Sequence, residues 1–321
     1  MPKVSVIIPF FNAQDFLARS VQSCLAQSLK DIEIILVDDK SADLSLQIAQ
    51  DLARSDSRIR IIPHARNLGT FLARKSGVDS AKGEFVLFLD ADDFLSQNAL
   101  EILHKCALEN GADMVHCKIL PLPSKRFTSK PKLHAQILRN DEILRQIFVR
   151  DFKRGYLIVC GKLFSTNLIL RALDKLKFIN RHLVASEDSA LFLPICALAK
   201  KSVGAGKASY FYTQNPASLL QSTKSKKIFT QIENRKFLRE NLPRLLEDSE
   251  LASNPHFKQS LQNTLNLMDY FICYTARFLP ASAQDSAPYI KYSILNFKYV
   301  ARWQIAVKLA IFLLTFGAKK L

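Results

Sequence analysis

The chain has 321 residues, of which 48% are hydrophobic and 23% charged, and its formal net charge at pH 7 is +16. This balance is that of an ordinary globular protein. The sequence has no low-complexity tract, no fixed-period repeat and no apolar run of the ~20 residues that a membrane span needs. The positive charge predicts an anionic partner: a nucleic acid, an anionic lipid or a phosphorylated substrate.

The first 120 residues alternate between strand and helix patterns. Continuous apolar runs predict the strands, and apolar residues at helical spacing predict the helices between them. The predicted strands cover 3–9, 32–37, 58–62, 84–89 and 113–120, and the predicted helices cover 14–28, 43–54, 70–81 and 97–109. Strands that are apolar throughout and separated by helices indicate βαβ units and a parallel sheet covered on both faces.

The rest of the chain is less regular. Residues 121–140 hold three prolines and an excess of basic residues, which predicts a connecting segment. A helix begins near "SEDSALF" (186–192), and from about 222 onward only helical patterns occur. We therefore predict an α/β domain over 1–220, with halves at 1–120 and 121–220, and a basic, aromatic-rich helical region over 221–321.

Three features bear on cellular location. The six cysteines are scattered, without C-x-x-C pairs or zinc-type spacing, which predicts reduced thiols in a cytosolic protein. The first apolar run is short and contains Pro9, so it predicts a strand rather than a signal peptide. Residues 220–321 carry 15 Lys and Arg against 7 Asp and Glu, mixed with aromatics. Its last segment, "YIKYSILNFKYVARWQIAVKLAIFLLTFGAKKL" (289–321), suits a helix on an anionic membrane surface, or equally a helix packed on its own domain.

Carboxylates cluster where two predicted strands end. Asp38 and Asp39 follow the second strand, and Asp90, Asp92 and Asp93 follow the fourth. In open α/β sheets, ligands bind beyond the carboxyl ends of the strands. A pair of carboxylates there fits Mg²⁺ or Mn²⁺, with substrate phosphates completing the coordination. The residues alone are equally consistent with a solvated acidic turn before the next helix.

Four motifs occur in a particular order: "SVIIPFFN" (5–12), "ILVDDKSAD" (35–43), "NLGTFLARKSGVDSAKGEFVLFLDADD" (67–93) and "SEDSALF" (186–192). Together they resemble the family 2 glycosyltransferases, which are inverting enzymes with the GT-A fold. The resemblance is close over 3–120 and weaker over 185–222. It implies a Rossmann-like, mostly parallel sheet flanked by helices, followed by a helical C-terminal region.

The resemblance implies that a nucleotide sugar lies at the ends of the first strands. The nucleotide-binding residues implied are Pro9, Phe11, Asp38, Asp39, Asn67, Gly69, Arg74 and Asp90. The Asp39 carboxylate suits the N3–H of uracil. Considered without the resemblance, Asp38 and Asp39 fit a turn and helix cap ahead of Ser41, and Arg74 fits a solvated helix residue.

The resemblance also implies a metal site and a catalytic base. Asp92 and Asp90 match the metal-binding carboxylates, and Asp93 is a supporting or acceptor-side residue. Asp188 matches the general base that deprotonates the acceptor hydroxyl, and Glu187 orients the acceptor or the base. The alternative for "SED" is a helix N-cap with acidic residues at the favourable dipole end.

One segment departs from the family pattern. Within "YFYTQNPASLLQS" (210–222), Gln214 stands where many relatives carry Arg, which weakens any diphosphate-binding role there. Lys224, Lys226 and Lys227 lie close by and are positioned either to supply positive charge or simply to form a solvated basic face.

These observations predict a metal-dependent, inverting transferase that uses a UDP-sugar. The expected acceptor is a saccharide or a lipid-linked saccharide of the lipopolysaccharide type. The enzyme is expected to be cytoplasmic or peripheral on the inner face of the membrane.

One alternative is a nucleic-acid binder or metal-dependent nuclease. However, no helix-turn-helix, zinc-finger or RNP-like pattern occurs in the sequence, so no nucleic acid is expected as a partner. Another is a non-catalytic nucleotide-sugar binder. A haloacid-dehalogenase-type phosphatase is disfavoured, because its aspartate motif lies on the first strand.

Overall fold

A computed structural model describes residues 1–123, 137–150, 152, 157–214 and 225–276. The strands in these residues are β1 (Val4–Phe10), β2 (Ile32–Asp38), β3 (Ile59–Pro63), β4 (Phe85–Phe88), β5 (Phe94–Leu95), β6 (Met114–Leu122), β7 (Ile137–Arg139), β8 (Lys162–Ser165) and β9 (Lys201–Thr213). The predicted basic connection falls mostly on 124–136, and Lys224 and 277–321 also lie outside the described residues.

The described helices surround this sheet. They are α1 (Leu17–Leu25), α2 (Ser45–Ser55), α3 (Thr70–Ser80), α4 (Ala99–Asn110), α5 (Asp141–Leu144), α6 (Thr166–Lys175), α7 (Glu187–Leu198), α8 (Ser225–Asn241), α9 (Ser249–Ala252) and α10 (Phe257–Ala276). A π-helical turn covers Arg145–Arg150 and a 3-10 helix covers Leu242–Glu247.

All strands belong to one sheet of order β3-β2-β1-β4-β8-β6-β9-β5, and β7 also pairs with β9. The first four strands in this order are parallel, which confirms the predicted βαβ units. β8 lies antiparallel between β4 and β6, an insertion that the strand–helix alternation did not predict. The α/β fold class is confirmed, with antiparallel pairs on the β9 side.

The central strands are buried on both faces. Every residue of β1 and β2 is buried, as are all four residues of β4. Full burial of a Val or Ile side chain contributes about 1.5–3 kcal/mol, so these runs anchor the sheet. Their carboxyl ends are thereby held in fixed positions, which is what a site at this edge requires.

Helix boundaries differ from the predicted ones where backbone groups are used by loops. α1 begins at Leu17 rather than 14, and residues 14–16 form a turn in which the N–H groups of Phe16 and Leu17 both donate to the Ala13 carbonyl. α1 ends at Leu25 rather than 28, since the Ser28 N–H bonds the carbonyl of Gln97. A tertiary hydrogen bond therefore replaces the last helical turn expected from periodicity.

The described part of the C-terminal region packs on the α/β domain. α8 and α10 pack against each other, and α10 contacts α7 and the π-helical turn. Asn263 of α10 donates to the carbonyl of Phe148 at 2.7 Å. The segment for which the sequence leaves membrane binding and packing open, 289–321, lies outside the described residues. Within the described chain, no helix combines the length and the apolar character that crossing a bilayer requires.

Candidate active site

The acidic loop after β4 is tied to the end of β9 by a buried tyrosine. The Tyr210 hydroxyl donates to Asp93 Oδ2 at 2.5 Å and accepts from the Asp90 N–H at 3.2 Å. The Thr213 N–H donates to the other Asp93 oxygen at 2.7 Å. Burial, with the Asp90 charge adding to it, raises the pKa of Asp93 to about 8. Asp93 thus faces inward and anchors the loop.

Arg19 of α1 secures the same loop from its exposed side. Its Nη2 donates to the Asp92 carbonyl at 2.7 Å and to the Thr213 hydroxyl at 2.9 Å. The guanidinium also lies 4.9 Å from the ring centroid of Phe94, which stacks on Phe211. Neither Arg19 nor Tyr210 was predicted as a site residue: Tyr210 lies in the 210–222 segment without a role of its own, and nothing in the local pattern marks Arg19. The loop that carries Asp90 and Asp92 is consequently fixed from two directions.

Arg74 joins the acidic loop to the candidate base. It lies on α3 with only 3% of its surface exposed, so it is not a solvated helix residue. Its Nη1 donates to Asp188 Oδ1 at 2.6 Å, and its Nη2 donates to Asp90 Oδ1 at 3.0 Å. Glu187 Oε1 lies 3.6 Å from Nη1. One guanidinium therefore brings together three predicted site carboxylates, one from the loop after β4 and two from α7.

The carboxylates of this cluster have perturbed pKa values. Burial, with the neighbouring Asp188 charge adding to it and Arg74 opposing it, raises the pKa of Glu187 to about 7. Burial also raises the pKa of Asp188, against the lowering influence of Arg74. The Asp188 side chain keeps 24% of its surface exposed, so a ligand can reach it. Raised carboxylate pKa values beside a specific cation are typical of catalytic sites.

Two further buried groups lie beneath this cluster. Cys160 Sγ is 3.6 Å from Arg74 Nη2, and burial raises the pKa of this thiol well above its ordinary value. Lys162 of β8 donates to the Ile158 carbonyl and lies 4.8 Å from the Phe192 ring centroid, and burial lowers its pKa. All six cysteines are among the described residues and all are free thiols, as predicted.

Asp39 builds the loop that precedes α3. Its carboxylate interacts with His64 Nδ1 at 2.8 Å and accepts from the N–H groups of Leu68 at 2.7 Å and Gly69 at 2.8 Å. Asp38 accepts from the Ser41 N–H at 2.9 Å, which is the predicted turn. A contact of Asp39 with uracil stays a prediction. His64 was missed, although its position directly after β3 places it at the same edge as Asp38 and Asp39.

The other predicted nucleotide-binding residues lie at this edge as well. Pro9 is in β1, and Phe11 directly after it is 50% exposed. The Oδ1 atom of Asn67 is buried and has no hydrogen-bond partner within the described part of the chain. An exposed aromatic ring and an unsatisfied acceptor at the edge of the sheet are suited to stack against a base and to accept a ligand hydrogen bond.

Gly69 connects this loop to the segment that carries the base. Its φ of +85° is in a region that side chains rarely adopt, and a Cβ added there would lie 2.5 Å from the Leu183 backbone nitrogen. The Phe71 N–H donates to the Leu183 carbonyl at 3.2 Å. The glycine at position 69 therefore has a steric reason: it lets residue 183 approach the start of α3.

Ser186 occupies the N-cap position of α7 but does not cap it. Its φ is +63°, and its side chain makes no capping hydrogen bond. The hydroxyl instead accepts from Arg235 Nε of α8 at 3.2 Å. The side-chain cap considered for "SED" is therefore absent at this position. Glu187 and Asp188 still lie in the first turn of α7, where the helix dipole favours their negative charge.

The predicted metal ligands are a pair rather than a complete site. Asp90 has 35% of its side chain exposed, and Asp92 is two residues further along the same loop. Over the described residues, no group of three or more His, Cys, Asp or Glu side chains is placed to hold a metal ion. One or two carboxylates completed by substrate phosphates is the usual protein site for Mg²⁺. The donor set therefore fits a metal that arrives with a phosphorylated substrate.

Comparison with solved structures identifies the fold. A crystal structure of residues 1–349 of S. aureus TarS, in complex with UDP-GlcNAc, aligns with a TM-score of 0.59 at 19% identity. The alignment covers 92% of this chain and 91% of that one. Together with the sheet and its acidic edge, this likeness defines the fold as that of the GT-A glycosyltransferases.

Sequence comparison gives the family. The profile of glycosyl transferase family 2 matches residues 5–174, which is more than half of the chain. An uncharacterized glycosyltransferase, EpsJ of Bacillus subtilis, is 34% identical over 223 residues, which are 69% of this chain and 64% of EpsJ. The chain belongs to glycosyl transferase family 2 and is a glycosyltransferase, so the predicted family and enzyme class are confirmed.

A further relative has a more specific name. The GalNAc(5)-diNAcBac-PP-undecaprenol beta-1,3-glucosyltransferase of Campylobacter jejuni is 36% identical over 165 residues. The aligned region is 49% of this chain and 53% of that relative. This chain spans only about half to two thirds of the length of these two relatives. The substrates in their names therefore describe those proteins and are not assigned to this chain.

Proposed function

We propose that this chain transfers a sugar from a UDP-sugar to a saccharide acceptor with inversion at the anomeric carbon, using Asp188 as the general base. The observation that carries this proposal is the link made by Arg74. It donates to Asp188 at 2.6 Å and to Asp90 at 3.0 Å. The candidate base and the donor-side carboxylate therefore lie within the span of one buried guanidinium.

The proposed reaction is a single displacement. The acceptor hydroxyl oxygen attacks the anomeric carbon while Asp188 takes the hydroxyl proton, and the bond to the nucleoside diphosphate breaks on the opposite face of the sugar. A general base works best when its pKa lies near the operating pH, and burial moves the pKa of Asp188 upward in that direction. Arg74 holds the carboxylate in place, and Glu187 lies beside it to orient the acceptor.

Asp92 and Asp90 would hold a divalent cation, Mn²⁺ or Mg²⁺. When bound, such an ion neutralises the charge that develops on the diphosphate leaving group. On the neighbouring strand ends, Phe11 would stack on the base and Asn67 would accept a ligand hydrogen bond. Asp39, Asp38, Pro9 and Gly69 would shape the nucleotide pocket. The UDP-GlcNAc complex of TarS supports a UDP-sugar as the donor for this fold.

We propose a lipid-linked saccharide as the acceptor, at the inner face of the cytoplasmic membrane. The name of the Campylobacter relative describes action on an undecaprenol-linked saccharide, which supports this class. The net charge of +16 suits both an anionic bilayer surface and a diphosphate lipid carrier. Lys226 and Lys227 begin α8 on the described part of this basic region.

The test is calorimetric titration of UDP into the protein, with Mn²⁺ and with EDTA. We expect binding that requires Mn²⁺ and is lost in Asp92→Ala. Asp79→Ala is the control, because Asp79 pairs with Lys75 on the surface of α3. Absence of UDP binding under both conditions would contradict the donor assignment. UDP binding without transfer to any saccharide or lipid-linked saccharide would indicate a non-catalytic binder.

A further inference from the structure

The segment that leads into the candidate base is bound by an asparagine of α8. The Val184 N–H donates to Asn234 Oδ1 at 2.8 Å, and Asn234 Nδ2 donates to the His182 carbonyl at 3.1 Å. Asn234 is almost fully buried. One amide therefore holds a donor and an acceptor of the backbone two residues apart. That pairing fixes the path of residues 182–184 toward α7.

The next residue of α8 reaches the residue directly before Glu187 and Asp188. Arg235 Nε donates to the Ser186 hydroxyl at 3.2 Å. The same guanidinium donates to Gln231 at 3.3 Å and to Thr275 of α10 at 3.1 Å, and lies 5.3 Å from the Phe271 ring centroid. Because Arg235 is buried and held by α8 and α10, it meets Ser186 in a fixed orientation.

Ser186 needs such support. Its φ of +63° is unusual for a residue with a side chain, and the backbone is strained in this region. Such strain persists only where the surrounding structure enforces it. Relaxation of Ser186 would rotate the first turn of α7 and move Asp188 away from Arg74. The conformation of residue 186 is therefore coupled to the position of the base.

The opposite side of the segment is held by the nucleotide-side loop. Gly69 lies against the Leu183 backbone, and the Phe71 N–H donates to the Leu183 carbonyl. Residues 182–186 are thus fixed between α3 on one side and α8 on the other. The contacts from α8 come from a part of the chain beyond the family match, which ends at residue 174.

We infer that Asn234 and Arg235 are positioning residues that set the location of Asp188 through residues 182–186. This inference rests on the proposed role of Asp188 as the base. It makes α8 part of the active-site structure rather than a separate accessory element. A 1 Å displacement of a catalytic group costs up to about a hundredfold in rate, so loss of this support should appear in turnover before it appears in donor binding.

The first experiment compares Arg235→Met and Asn234→Ala with two matched controls on the same helix. Arg239→Met removes an arginine that pairs with Asp269, and Asn241→Ala removes an asparagine that bonds the Phe237 carbonyl. We expect kcat for transfer to fall about 10- to 100-fold in the first pair, with the Kd for UDP within about twofold of wild type. The controls should keep their kcat. An equal loss in Arg239→Met would overturn the inference.

A double-mutant cycle tests the contact itself. Ser186→Ala removes the hydroxyl that Arg235 binds, and we expect Arg235→Met to cost little further turnover in that background. Multiplicative losses from the two substitutions would contradict coupling through this hydrogen bond.

Hydrogen–deuterium exchange separates this inference from the proposed function. In Arg235→Met we expect faster exchange at residues 182–190, with protection of β1 and β2 unchanged, and no such change at 182–190 in Arg239→Met. Unchanged exchange at 182–190 would refute positioning by Arg235, whatever the activity. Faster exchange in a protein whose wild type transfers no sugar would refute only the proposed function.

Discussion

Arg74 Nη1 lies 2.6 Å from Asp188 Oδ1, so a residue of α3 fixes the carboxylate at the start of α7. The two residues are 114 positions apart in the chain, and Arg74 is buried. A buried guanidinium beside several carboxylates lets them remain partly charged in an environment that otherwise disfavours charge. Because of this ion pair, the positions of the site carboxylates depend on how the α/β domain folds.

Removal of Arg74 should change the pH dependence of turnover. Arg74 lowers the pKa of Asp188 against the effect of burial, so Arg74→Met should raise that pKa further. The acid limb of the kcat profile should then move to higher pH, and unfolding should become easier by about 3 kcal/mol, because buried carboxylates lose their partner. Kinetics across pH 5–9 and chemical denaturation are the measurements.

Arg60→Met is the control for Arg74→Met. Arg60 also pairs with a carboxylate, Glu33 at 2.8 Å, but near the amino ends of β1 and β2. Its removal should leave the pH profile of kcat in place. An unmoved acid limb in Arg74→Met would show that Arg74 does not act through Asp188.

Asp188→Asn should separate binding from chemistry. The Asn oxygen can still accept from Arg74, so the site should keep its shape and its affinity for UDP. Loss of the general base should lower kcat about 10²- to 10⁴-fold. Calorimetric titration of UDP measures the retained affinity, and steady-state transfer kinetics measure the loss of kcat. Transfer at the wild-type rate would remove Asp188 from the role of base.

Sequence patterns predicted β1, β2 and β4 because each is an apolar run buried on both faces. β5 could not be predicted in this way, since its two residues are too few to show a period, and it exists through pairing with β9. The position of β8 between β4 and β6 likewise depends on antiparallel pairing across distant parts of the chain. Elements defined by tertiary partners leave little trace in local periodicity.

The same distinction applies to the site. Asp90 and Asp188 could be singled out because short motifs surround them, but their joint contact with Arg74 depends on how α3 and α7 pack. Arg235 was missed because α8 is a polar helix in which one more cation carries no distinguishing pattern. His64 could have been predicted, because it directly follows β3 and so lies at the same edge of the sheet as Asp39.

Gly69→Ala should disturb both stability and turnover. The new Cβ would lie 2.5 Å from the Leu183 nitrogen and 2.7 Å from its carbonyl oxygen, and the φ of +85° adds backbone strain. We expect a loss of about 2–4 kcal/mol in the free energy of unfolding and a lower kcat, because the segment carrying Asp188 must move. Thermal unfolding and transfer kinetics are the measurements.

Gly111→Ala separates strain from steric displacement. Gly111 has a φ of +54°, but a Cβ added there would meet nothing within 4 Å. The Gly111→Ala variant should therefore lose only about 1–2 kcal/mol in the free energy of unfolding and keep its kcat. Equal effects of the two substitutions would mean that contact with Leu183 is unimportant.

Glu187→Gln should remove a pH-dependent cost from the folded state. Burial and Asp188 raise the pKa of Glu187 from 4.5 to about 7, so between these values the folded protein holds a proton that the unfolded chain has released. The contribution of Glu187 to stability is therefore lost as pH rises through about 7.

A glutamine carries no charge at any pH. The variant should match wild type near pH 4, where Glu187 is protonated in both the folded and the unfolded chain. At pH 8 it should exceed wild type by about 1–3 kcal/mol in the free energy of unfolding, since one pKa unit corresponds to about 1.4 kcal/mol. Urea denaturation at both pH values in EDTA gives the difference. A constant offset between the two proteins from pH 4 to 8 would mean that Glu187 is not held at a raised pKa beside Asp188 and Arg74.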